Sequence, residues 1–80
     1  MSQPRDRLRA AFRTALGLAD DAVVDDLAYR AVPQWDSVAH MQLVATIETE
    51  FDIMLDTDDV IAMSSFAVAC TIVGKHGVAI

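Results

Sequence analysis

Apolar side chains recur at helical spacing in three separate stretches of this 80-residue chain, and nowhere do they alternate as a half-buried strand requires. Leu8, Ala11, Phe12, Ala15 and Leu16 fall at i, i+3, i+4, i+7 and i+8, with Pro4 ahead of them and Gly17 behind. That punctuation predicts a helix over 5–16. Leu43, Val44, Ile47 and Phe51 share one arc of a helix over 37–51, and this arc is expected to be core. Phe66, Ala69, Cys70 and Val73 repeat at i, i+3, i+4 and i+7 and predict a last helix, capped by Ser64 or Ser65 and loosened at Gly74 and Gly77. Between the last two, Thr57 as N-cap followed by Asp58 and Asp59 predicts a short helix over 58–63. The fold class is therefore all-α: a small antiparallel-type bundle of three main helices plus one short helix, in a single domain over 1–80.

Residues 18–36 interrupt the helical pattern with Asp20-Asp21, Asp25-Asp26 and Pro33, around apolar anchors at Leu18, Val23, Val24, Leu27, Tyr29 and Val32. This reads as a long loop between the first two main helices, with room for one helical turn. A connection of that length is unusual in so small a domain, and it points to function or to packing across a bundle end.

Length and charge exclude several classes. A chain this short has a thin core and little room for an enzyme active site. Hydrophobic residues make up 54% of it, more than a lone small domain hides easily, so some apolar side chains are expected to face a partner or ligand. Residues 1–13 hold four arginines against Asp6, a balance of +3, whereas residues 14–80 hold Arg30 and Lys75 against eleven acids, a balance of −9. An acidic body disfavours nucleic acid and anionic membranes and favours partners with basic surfaces. The arginines of the first helix read as a solvated face. A single Cys70 forms no internal disulfide and, in helical apolar surroundings, reads as a buried, inert thiol. With no apolar leader core and no run near the ~18 residues of a membrane span, a cytoplasmic location is expected.

The candidate site lies at Trp35-Asp36-Ser37-Val38, where the loop gives way to the second main helix. A helix start exposes unpaired N–H groups and partial positive charge, a favourable setting for phosphate, bound or attached. On that helix Val38, Met41 and Ala45 form a second apolar arc, roughly opposite Leu43 and beside Glu48 and Asp52, which reads as a docking strip ringed by acids. Asp36, Ser37 and His40 do not make a hydrolytic triad, because within five consecutive residues one imidazole cannot aim at both partners. His40 reads instead as a partly buried, hydrogen-bonded histidine at the edge of the core arc. Asp52, Asp56, Asp58 and Asp59 lack the glycine and the glutamate of a calcium loop and read as a solvated, helix-capping cluster. Cys70 and His76 lack companions for zinc.

Asp36-Ser37-Val38, then Glu48-Thr49-Glu50-Phe51, then Asp56-Thr57-Asp58-Asp59, then Ser64-Ser65-Phe66 follow one another in an order that resembles the acyl carrier protein family over nearly the whole chain. The resemblance implies that Ser37 carries 4′-phosphopantetheine, transferred from coenzyme A by a separate Mg²⁺-dependent phosphopantetheinyl transferase, and that the chain is a carrier and not an enzyme. It implies that cargo is held as a thioester on the arm's thiol, and that Asp36, Val38, Met41 and Glu48 are read by the transferase and by cargo enzymes. Those partners are an acyl- or aminoacyl-loading ligase and downstream synthase or transferase enzymes, with the carrier itself a monomer. Val38 stands where the family has leucine, and Ala39 and Gln42 stand where fatty-acid carriers often have acids, which points to a specialised acyl, polyketide or aminoacyl pathway. Alternatively, the chain is an unmodified helical interaction module in which Ser37 is only a helix N-cap.

Overall fold

The computed structural model describes residues 3–80; Met1 and Ser2, part of the expected single domain, lie outside the described residues. Four helices follow in order: α1 (Pro4–Leu16), α2 (Ser37–Phe51), α3 (Thr57–Ala62) and α4 (Phe66–Lys75). Among the described residues there is no strand, only an isolated antiparallel bridge between Ala28 and Ser65.

α1 begins with proline in its first turn and ends where Gly17 turns left-handed at φ 67°. Gly17 N–H donates to the Thr14 carbonyl and Leu18 N–H to the Arg13 carbonyl, which satisfies two carbonyls that the helix end would leave unpaired. The inward stripe of α1 is Leu8, Ala11, Phe12 and Leu16, packed with Leu43, Val44 and Ile47 of α2 and with Phe66, Ala69, Cys70, Ile72 and Val73 of α4. Each large side chain fully buried here contributes about 1.5–3 kcal/mol. Phe12 lies at the centre, edge-on to Trp35 at 5.4 Å and to Phe66 at 5.1 Å between ring centroids.

Several expectations are corrected. Phe51, expected in the core arc of α2, is only half-buried, and the Arg7 guanidinium lies over its ring at 4.9 Å. Of the two adjacent valines in the loop, Val24 is buried while Val23 is 76% exposed. The loop forms turns without a helical one. α3 starts one residue earlier than expected because Asp56, not Thr57, is its N-cap, its carboxylate accepting from Asp59 N–H at 2.8 Å. Both side chains are able to cap, and aspartate is the better acceptor at that position. Of the two serines expected as alternatives, Ser65 caps α4 by accepting from Val68 N–H, in agreement with the sequence. α4 also runs through Gly74 to Lys75.

The arginines of α1 are structural. Arg9 holds Asp25 through two parallel bonds of 2.8 and 2.9 Å, a fork geometry that also keeps the Asp25 carboxyl below its ordinary range. Arg13 donates to the Ala22 carbonyl and Arg7 to the Glu50 carboxylate, so three of the four arginines tie α1 to the loop or to α2. Arg7 and Arg9 thus face carboxylates, while Arg13 meets a backbone carbonyl.

The acidic cluster is not uniformly solvated. Asp59 is 3% exposed, its carboxylate bonded to Lys75 and, at 2.9 Å, to Nε2 of His76. This joins α3 to the end of α4. Lys75 first, then His76, holds the Asp59 carboxyl down from 3.8 to about 2. In the unfolded chain the group takes up a proton near 3.8, so its stabilising effect is complete above that value and is lost as pH falls through about 2. Urea midpoints should therefore be lower for Asp59→Asn than for wild type at neutral pH, and the gap should close near pH 2. An equal gap at both pH values would contradict the ion cluster.

Candidate modification site at the start of α2

The connecting segment delivers Ser37 to the surface by fixing the residues before it. Tyr29 N–H donates to the Ser64 carbonyl and Phe66 N–H to the Leu27 carbonyl, which fastens the segment to the α3–α4 junction. Arg30 then adopts a left-handed backbone at φ 64°, and its N–H reaches the Trp35 carbonyl at 3.1 Å. A non-glycine residue in that region marks an enforced turn. The turn inserts the Trp35 indole into the core at 0% exposure and leaves the next residues outside.

Asp36 is extended and caps α2, with Oδ1 accepting from Ala39 N–H at 2.9 Å. Ser37 is the first residue of α2 and is exposed. The idea that Ser37 acts as the helix N-cap is thus corrected: Asp36 caps, and the serine hydroxyl is not needed to start the helix. Both residue types are able to cap, and the burial of Trp35 sets the register.

Beyond Ser37, one face of α2 stays uncovered. Val38 is 70% and Met41 59% exposed, and with Ser37, Gln42 and Ala45 they line a shallow, largely apolar depression. Glu48, expected as an exposed rim acid of this strip, is half-buried, and its Oε2 accepts from Leu55 N–H at 2.8 Å. It braces the α2–α3 connection. Asp52 closes α2 in a left-handed conformation at φ 53°.

On the other side of α2, Tyr29, His40, Val60, Ile61, Met63 and Ser64 line a groove of about 250 Å³. His40 is partly buried and hydrogen-bonded as expected: Trp35 Nε1–H donates to its Nδ1 at 3.0 Å, and its Nε2 lies 2.8 Å from the Val60 carbonyl. Both ring nitrogens are therefore engaged, neither of them with Ser37, so the imidazole does not serve the serine as a base. Cys70 is buried in α4 and burial pushes its thiol up, which suits an inert side chain. Among the described residues no group of three or more His, Cys, Asp or Glu converges as a metal site, and no helix is long and apolar enough to cross a membrane.

The position of Ser37 at the start of α2, the exposure of Val38 and Met41 and the hydrogen-bonded state of His40 agree with the sequence reading. That reading missed the burial of Trp35, for which the one available signal was a large aromatic directly before the helix start. It also missed the left-handed turn at Arg30 and the seat of Asp59.

The assignment of the cap is open to measurement. Asp36→Ala should cost about 1 kcal/mol in urea unfolding, whereas Ser37→Ala should stay within about 0.5 kcal/mol of wild type. The reverse order would return the capping role to the serine. Comparison of the chain with models of known families, with curated proteins and with solved structures finds no match.

Proposed function

We propose that the chain is a carrier protein that takes 4′-phosphopantetheine on Ser37 and presents acyl, polyketide or aminoacyl intermediates to partner enzymes. The observation that carries this reading is an exposed serine at the first position of α2, released from capping by Asp36 and bordered by an uncovered apolar strip. Such a hydroxyl is accessible to a transferase, and the first backbone N–H groups of the helix favour the phosphodiester it would then bear. Bound there, the group supplies a long flexible arm ending in a thiol that holds cargo as a thioester.

The residues around Ser37 take distinct parts. Asp36 holds the helix start in place and offers an exposed carboxylate to the transferase and its Mg²⁺. Val38 and Met41 supply the apolar contact by which transferase and cargo enzymes dock, and the acidic body draws in partners with basic surfaces. The groove between Tyr29, His40 and α3 is smaller than the ~300–1,000 Å³ usual for drug-sized ligands, so it suits a short cargo chain at most. Larger cargo stays outside the bundle. A cytoplasmic site of action, a monomeric state and a specialised pathway belong to the same reading.

Intact mass after incubation with coenzyme A and a broad-specificity transferase tests the proposal. The wild-type chain should gain one phosphopantetheine and Ser37→Ala none; failure of several transferases on folded protein would favour an unmodified interaction module. Glu48→Lys should weaken partner association in a salt-dependent way and also lower stability by about 1–2 kcal/mol, since the bond to Leu55 N–H is lost with it. Unchanged stability would show that the brace contributes nothing.

A further inference from the structure

His40 stands where three parts of the fold meet, and neither the chemistry of Ser37 nor the docking strip uses it. An indole nitrogen only donates and a carbonyl only accepts, so the partners of His40, Trp35 Nε1–H and the Val60 carbonyl, fix the ring as neutral with its proton on Nε2. Val60 lies near the end of the six-residue α3, where carbonyls have no helical partner, so His40 caps α3 from outside. On its other side it holds Trp35, the residue directly before Asp36 and Ser37. One imidazole therefore ties the serine-bearing turn to both α2 and α3.

A proton added to Nδ1 would set two N–H groups head to head and break the bond to Trp35, while Nε2–H would keep its carbonyl. Protonation thus acts on the one partner that holds the serine turn. The groups around the ring are few. From the connecting segment come the Tyr29 phenol, its ring 5.3 Å away, and the Arg30 guanidinium, 5.5 Å from that phenol ring. From α2 comes Asp36, one turn earlier and bonded to Ala39 N–H. α3 presents its backbone carbonyl, since Asp59 is turned to Lys75 and His76. Among the described residues no carboxylate is bonded to the ring.

We propose that His40 is the positioning residue of the Ser37 turn and acts only as the neutral imidazole, its protonation unhooking Trp35 and loosening Trp35-Asp36-Ser37. The inference deepens the carrier reading, but its spectroscopic test stands without it. In ¹H–¹⁵N spectra of the unmodified protein, lowering pH from about 8 to about 5 spans the range in which histidines commonly titrate. The wild-type indole N–H resonance should move over this range. The protection factors of the Trp35, Ala39 and His40 amides, whose N–H groups are bonded within this turn, should then fall about fivefold, the factor carried by one ordinary hydrogen bond. His40→Gln offers an acceptor and a donor but does not titrate, so it should hold both readouts constant. His40→Leu should show the loosened turn at both pH values. An indole resonance that stays put in wild type, or moves equally in His40→Gln, overturns the proposal.

The second readout is the rate at which coenzyme A and transferase modify Ser37, taken as the ratio of wild type to His40→Gln so that the transferase's own pH dependence cancels. The ratio should fall with acidification. A ratio independent of pH overturns the link to Ser37, whereas no modification of either protein counts against the carrier reading and leaves the spectroscopic result to decide the latch.

Discussion

Trp35 is the largest side chain fully buried in the fold, and its indole N–H must find an acceptor there or cost about 1–3 kcal/mol. His40 supplies that acceptor, and much of the architecture around α2 follows. With the indole seated against Phe12 and Tyr29, the chain leaving it has one short path to the start of α2. Asp36 falls at the cap and Ser37 falls outside it. A single buried polar bond thus connects core packing to the exposure of one hydroxyl, and the same imidazole reaches onward to the end of α3.

The rest of the fold shows how a small apolar core is supplemented by polar ties at its edges. Arg7, Arg9 and Arg13 fasten α1 to its neighbours, and Glu48 braces the α2–α3 connection. Asp59 joins α3 to α4. The exposed ion pairs of Arg7 and Arg9 are individually weak, so those two ties act more on which elements stay together than on total stability. α3, six residues long with Ile61 turned outward, relies on such ties more than the long helices do. It also forms one wall of the groove that His40 lines. On the opposite side the strip of Val38 and Met41 has no internal partner, consistent with a chain richer in apolar residues than its own core needs.

α1, α2 and α4 were legible in the sequence because their apolar residues keep a period that only a helix satisfies, α3 was legible from its cap and first-turn acids, and the all-helical bundle follows from both. Register at helix starts was less legible. Asp36 and Ser37, and again Asp56 and Thr57, are neighbouring residues that are each able to cap, and the choice between them depends on packing further away. In the irregular loop, periodicity does not say whether Val23 or Val24 faces inward. Asp59 is indistinguishable from Asp58 in sequence, and only residues 75 and 76, brought back by α4, select it for burial. Ser37 was legible because its setting is local. The partners of His40 were not, since Val60 is twenty residues away and reaches the ring only once α3 is in place.

Hydrogen exchange of the Trp35 indole N–H under native conditions tests most directly whether this one bond organises the start of α2. If it does, the indole proton exchanges only when the core opens, with the same denaturant dependence as the amides of Leu43 and Ile47. An indole proton that exchanges at the rate of a free tryptophan, while those amides remain protected, would contradict the account.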